Sequence, residues 1–305
     1  HGDAVNLMTL AREANKFFKN LKELEYWEEV ANAAKNTQVY SGLSIKKDEF
    51  LYRAERLRQY LILLQYRYKF TYSDFINFKS LYSNLVYSDK FEAIFSMPKQ
   101  ETKDIPIDAL EGNIKTLPTN KKRDEFRNFV LNNFDEDYKL FTLTAPTGYG
   151  KTLTALNFAL KFNKSRIIYA LPFTSIIDQT YDIIAKIYKN SDISVSKAHH
   201  KTTIDEENLT EEDRYSKIKF LMESFSSEIN VTTLYQLIFA LFGNKNKDNV
   251  KFNQLKNSVV IIDEAQAIPY NFRKDFILLC EIISQRLGTI FIFMSATMPV
   301  IKSEN

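Results

Sequence analysis

Apolar and polar positions along this chain follow two different rhythms. From Asp3 to about Ser96 apolar residues recur at helical spacing, most clearly in Phe50–Phe70 and Phe75–Phe95, while proline is absent and strand-like alternation is scarce. The stretch Met97–Asn113 interrupts that rhythm with prolines and charges and reads as a linker. Beyond it a helix is predicted near Arg123–Phe134. Short apolar runs bounded by turn residues then predict strands near Leu140–Thr144, Arg166–Ala170, Ile193–Lys197, Ile229–Thr232, Val259–Asp263 and Thr289–Ser295. Helical patterns between these runs point to an α/β domain with a largely parallel sheet, preceded by an all-α region. The expected division is a helical region 1–96, a linker 97–117 and an α/β domain 118–305. Asp205–Asp213 reads as a solvated acidic approach to a helix, and Gly243–Lys251 as a basic, flexible loop.

The segment Thr142–Thr152, T-L-T-A-P-T-G-Y-G-K-T, joins a predicted strand to a predicted helix through a glycine-broken turn. Such a turn cradles phosphate. Gly148 and Gly150 let the backbone curl with its N–H groups inward, so Thr147, Gly148, Tyr149, Gly150, Lys151 and Thr152 form a nucleotide-binding loop. Lys151 can reach the outer phosphates and Thr152 can place a hydroxyl on magnesium. Ala145 stands where this pattern usually starts with glycine, and a small residue at a strand end still permits the turn.

Ser258–Gln266, S-V-V-I-I-D-E-A-Q, is an apolar run ending in two acids, as expected of a buried parallel strand whose carboxyl end meets the ligand. Alone, the acid pair also suits a helix cap. Following the phosphate loop, Asp263 would hold the metal ion and Glu264 would orient or deprotonate the attacking water.

Three further segments bear on what an NTPase of this kind does. Tyr169–Thr180 ends a strand at Pro172 and offers Thr174 and Ser175 at a helix start, and Asn230–Leu237 does the same with Thr232 and Thr233. Each could cap its helix or contact phosphate. Met294–Pro299, M-S-A-T-M-P, places Ser295 and Thr297 after an apolar strand.

Composition narrows the setting. The chain has 305 residues, 45% hydrophobic content and a formal charge of +3, so any nucleic-acid contact comes from a local patch and not from a global field. The single cysteine, Cys280, excludes an internal disulfide framework, reads as a buried small side chain, and suits a reducing, cytoplasmic setting. No apolar run approaches a membrane span. The chain opens on His1 and stops shortly after the S-A-T segment, so it reads as a piece of a longer protein.

The order A-P-T-G-Y-G-K-T, A-L-P-F-T-S-I-I-D-Q, V-T-T-L-Y-Q-L, D-E-A-Q, S-A-T-M-P resembles the first RecA-like motor domain of superfamily two helicases. More narrowly it resembles the CRISPR-associated helicase-nuclease of type I systems, on the wording L-P-F-T-S-I-I-D-Q, the pair His199 and His200, and Gln266. The resemblance spans about Pro118–Pro299. It implies an ATP- and magnesium-dependent motor in which Lys151, Thr152, Asp263 and Glu264 carry the nucleotide chemistry. Pro172, Thr174, Thr232 and Thr233 would hold single-stranded DNA, while Gln266, Ser295 and Thr297 couple hydrolysis to movement. Asn120 and Arg123 are adenine-reading candidates by position. The implied partner is a surveillance complex bound to target DNA, with no membrane and with the oligomeric state open.

The same resemblance implies a preceding HD nuclease domain with a transition-metal ion. His1-Gly2-Asp3 would match the end of its histidine pair and Asp89, in Leu81–Phe91, its later ligand. His1 as a cloning remnant and Asp89 as a solvated helix residue are the alternatives. Without a second motor domain to supply arginines, this chain is expected to bind nucleotide weakly, hydrolyse it poorly and not unwind alone. Two other readings stay open: a different superfamily two DNA or RNA helicase or restriction-type translocase, and a docking module with a vestigial nucleotide site.

Overall fold

The computed structural model describes Arg56 and residues 71–95, 103–197 and 211–296. His1, His199, His200 and Thr297 lie outside the described residues, as do residues 96–102 and, apart from Arg56, 50–70. The chain divides into two compact units, residues 1–71 and 72–305, and the second carries the architecture that follows.

Its helices are α1 (Tyr72–Phe95), α2 (Ile107–Thr116), α3 (Lys121–Asn132), α4 (Lys151–Leu160), α5 (Thr174–Tyr188), α6 (Glu211–Ser224), α7 (Leu234–Phe242), α8 (Asn246–Phe252) and α9 (Arg273–Leu287). Its strands are β1 (Leu140–Thr144), β2 (Arg166–Leu171), β3 (Val195–Lys197), β4 (Ile229–Thr233), β5 (Ser258–Ile262) and β6 (Ile290–Ser295). They pair in parallel throughout, in the order β1-β6-β5-β2-β4-β3. The α/β class and the six strands agree with the pattern of apolar runs.

Strands β2, β5 and β6 are buried along their whole length. Alternation explains why nearly every position is apolar: successive side chains feed opposite layers. Ile167, Tyr169, Leu171, Val259, Ile261, Ile290 and Ile292 face a layer built on α2, α4 and α5. Ile168, Ala170, Val260, Ile262, Phe291 and Phe293 face one built on α1, α7 and α9, where Cys280 is fully buried. Each Val, Leu, Ile or Phe among them contributes roughly 1.5–3 kcal/mol on burial. Register pairs Thr144 with Ser295, Phe293 with Ile262, Ile262 with Ala170, and Leu171 with Thr233. The carboxyl ends of five strands therefore finish along one edge, where the chemistry-bearing motifs begin.

Two polar segments differ from expectation. The stretch read as linker contains α2, whose Ile107, Leu110 and Ile114 recur on one face; Leu110 is fully buried in the core. Pro106 stands at its N-cap, a place where a missing N–H costs the helix nothing. Gly243–Lys251 is not a solvated loop: Asp248, Asn249, Val250 and Lys251 are buried in α8. Lys79 of α1 donates to the Gly243 carbonyl and to Asn249 Oδ1, at 2.9 Å for the latter, and Lys251 donates to Gln236 Oε1. Ser83 closes the contact by donating to the Asn249 carbonyl and accepting from the Asn253 amide at 2.8 Å. A side chain at Gly243 would collide with the Phe239 carbonyl oxygen and Asp248, so glycine is required there for close approach.

Burial lowers the Lys79 pKa from 10.5 to about 8, against the opposing pull of Asp248. Between those values the unfolded chain binds more protons than the folded one, so stability rises with pH. Between pH 8 and 9, a unit below the ordinary tyrosine pKa, this contribution is about 1 kcal/mol. Urea unfolding at both pH values should show that gain in the wild type and its loss in Lys79→Met. Equal pH slopes would mean that Lys79 is solvated.

Candidate functional site

The phosphate loop is built as its residue types dictate. At the end of β1, Ala145 is buried and its amide donates to the Ser295 carbonyl at 3.2 Å, so a methyl group is accommodated where glycine is usual. Gly148 and Gly150 have φ of 87° and 75°, the left-handed region that other residues enter at a cost. Tyr149 between them packs edge-on to Phe126 of α3, with 6.2 Å between ring centroids. Helix α4 starts at Lys151 with no side chain capping its first turn. Those N–H groups and the positive end of the helix form an anion site.

Lys151 Nζ lies 3.5 Å from Glu264 Oε1, an ion pair too long to be a hydrogen bond, and the buried ammonium has no hydrogen-bond partner. A buried ammonium with unused donors beside a glycine cradle fits a phosphate ligand. Glu264 holds φ 49° and ψ 53°, a left-handed conformation that costs a non-glycine residue about 1–3 kcal/mol. Its Oε2 accepts from Gln266 Nε2 at 2.6 Å, and Gln266 Oε1 accepts from Ser295 Oγ at 2.6 Å. Arg273 braces this loop by donating to the carbonyls of Gln266 and Ile268, both at 2.8 Å. The sequence-predicted Lys151, Glu264, Gln266 and Ser295 thus form one continuous chain of polar contacts across three motifs.

Asp263 follows β5 and is fixed from two sides. Its Oδ1 accepts from the Glu264 amide at 2.9 Å and its Oδ2 from the Tyr169 hydroxyl at 3.3 Å. Burial pushes its carboxyl pKa up, with the Glu264 charge adding and the Glu264 N–H, Lys151 and Tyr169 opposing. A divalent cation is the group that would reverse this, so the acid fits the metal role assigned with Thr152. In the sequence Tyr169 is only a strand position at the head of the Tyr169–Thr180 segment.

The four strand-binding candidates are placed differently from one another. Thr174 is exposed at the start of α5, beside the exposed Phe173, and that helix too lacks a side-chain cap. Pro172 is buried. Thr232 is 1% exposed with its hydroxyl enclosed, and Thr233 Oγ1 accepts from the Gln236 amide at 3.1 Å as the cap of α7. Sheet burial thus encloses the Thr232 hydroxyl, while helix capping engages the Thr233 oxygen and leaves its proton to donate.

Near the loop, Arg123 Nε donates to the Gly148 carbonyl at 2.9 Å, and Asn120 caps α3 by accepting from the Arg123 amide at 3.2 Å. Both line a pocket of about 240 Å³ with Leu117, Pro118 and Arg127. Asp89 is exposed on α1, and among the described residues no group of three or more His, Cys, Asp or Glu side chains could hold a metal ion. Among them, no helix is long and apolar enough to cross a membrane.

The chain is 32% identical over 180 residues to the CRISPR-associated nuclease/helicase Cas3 of Haloferax volcanii, covering 52% of this chain and 19% of that one. It is 27% identical over 320 residues to a Cas3 nuclease/helicase candidate of Methanocaldococcus jannaschii, covering 95% of this chain and 43% of that one. The chain therefore spans less than half the length of either relative. The crystal structure of T. fusca Cas3-ADP superposes with a TM-score of 0.50 at 18% identity, over 83% of this chain and 28% of that one, a likeness of fold. The sequence profile of the DEAD/DEAH box helicases matches residues 127–304. That span runs from α3 past β6 and takes in the phosphate loop, the acid pair and the Ser295 strand together; the chain belongs to the DEAD/DEAH box helicase family.

Proposed function

We propose that this chain is the first motor domain of an ATP-driven translocase acting on single-stranded DNA within a CRISPR interference helicase-nuclease. The observation that carries the reading is the chain of contacts from Lys151 through Glu264 and Gln266 to Ser295, which joins the nucleotide loop to β6. Residues Thr147–Thr152 hold the phosphates of ATP, with Thr152 and Asp263 holding magnesium. Bound there, the ion supplies charge neutralisation for the transferred phosphoryl group. Lys151 turns from Glu264 to the outer phosphates, which frees the Glu264 carboxylate to accept a proton from the attacking water. Gln266, bonded to both Glu264 and Ser295, passes that change to β6. Arg123 and Asn120 form the wall against which the base docks.

Thr174 and the uncapped start of α5 hold backbone phosphates without reading bases. The nuclease activity, its transition-metal ion and the surveillance-complex partner belong to the longer protein, with Asp89 the described candidate for that metal site. The test is ATP turnover by the full-length protein with unrelated single-stranded DNA and RNA oligonucleotides. DNA of any sequence should stimulate it, and Thr174→Val should weaken binding to all of them alike. Stimulation by RNA alone would favour a different superfamily two helicase, and an inability to bind ATP would make the domain a docking module.

A further inference from the structure

Inside the sheet, one polar atom has no task in that scheme. Tyr169 is fully buried in β2, between the aliphatic Ile167 and Leu171 on the same face. Phenylalanine would fill this place at a lower desolvation cost, because a buried hydroxyl is unfavourable unless bonded. The phenol donates to Asp263 Oδ2 at 3.3 Å. Its partner is one of the two residues proposed to hold magnesium.

We infer that Tyr169 is a positioning residue for the magnesium site, orienting the Asp263 carboxylate before the ion binds. The inference rests on the nucleotide reading proposed above. An ionised carboxylate only accepts, so Tyr169 donates to Asp263 Oδ2. With Oδ1 held by the Glu264 amide, both carboxylate oxygens have a fixed donor. The anchor is rigid, since Tyr169 pairs in register with Val231 on one side and Ile261 on the other. Supporting partners of this kind set metal affinity without touching the metal.

The experiment measures binding of a fluorescent ADP analogue to the 305-residue chain, in EDTA and across a magnesium titration. For Tyr169→Phe the magnesium concentration at half-maximal effect should rise about tenfold. Affinity in EDTA should match the wild type, which also shows that the loop is folded, and saturating magnesium should restore the wild-type plateau. An unchanged midpoint would overturn the inference. So would equal losses with and without magnesium, which would make Tyr169 a packing residue. A wild-type chain whose nucleotide affinity ignores magnesium would overturn the magnesium reading beneath it, and the inference with it.

Discussion

Lys151→Ala should lower nucleotide affinity by about 10- to 100-fold, the loss expected when charged hydrogen bonds to phosphate, each contributing about 1.5–3 kcal/mol, are removed. In the full-length protein, ATP turnover should fall further, on the order of 10³-fold, because the lysine also meets charge that grows in the transition state. Stability should hardly change, since the substitution removes a buried ammonium that has no hydrogen bond and leaves Glu264 bonded to Gln266. Calorimetry with ATP, beside a thermal melt, decides. Wild-type affinity in a folded variant would remove Lys151 from the phosphate site.

Glu264→Gln should separate binding from chemistry. An amide cannot take the proton of the attacking water, so turnover should drop roughly 10²- to 10⁴-fold. Binding should move the other way. In the nucleotide-free chain Glu264 holds Lys151 at 3.5 Å, and ATP must draw the lysine out of that pair. With both side chains partly sheltered, the pair is worth up to about 1 kcal/mol, so its loss should tighten nucleotide binding by up to about fivefold. The amide can still accept from Gln266, which keeps the link to Ser295. A variant that binds ATP more weakly than wild type, while folded, would assign Glu264 to the metal or to loop structure.

The centre of the sheet was readable from the sequence because β2, β5 and β6 are short apolar runs bounded by turn residues, and burial on both faces leaves little polar alternation to confuse them. The phosphate loop and acid pair were readable because their chemistry demands particular residues at fixed spacing. What escaped was structure that depends on distant partners. Helix α8 reads as a solvated loop until Lys79 and Gln236 arrive to bond its polar side chains. Helix α2 was hidden by prolines and charges around a three-residue apolar stripe. Within the site, neither the left-handed backbone of Glu264 nor the Tyr169 bond to Asp263 leaves a local signature, and Thr232 and Thr233 look alike in sequence although one is enclosed and the other caps a helix.

The position of β1 bears on how the site opens. Among the described strands β1 has one neighbour, β6, whereas β6, β5, β2 and β4 each have two. Its burial is also incomplete, with Thr142 and Thr144 exposed. Amide hydrogen exchange should therefore be graded across the sheet, slowest in β5 and β2 and faster in β1, because local opening of an edge strand breaks one ladder and uncovers little apolar surface. The phosphate loop hangs from that labile strand. A nucleotide that bridges the loop to the Asp263 edge would slow exchange in β1 while leaving β5 and β2, already protected, almost unchanged. Nucleotide would then act as a stabiliser of one strand, and the site would be assembled fully only while it is filled.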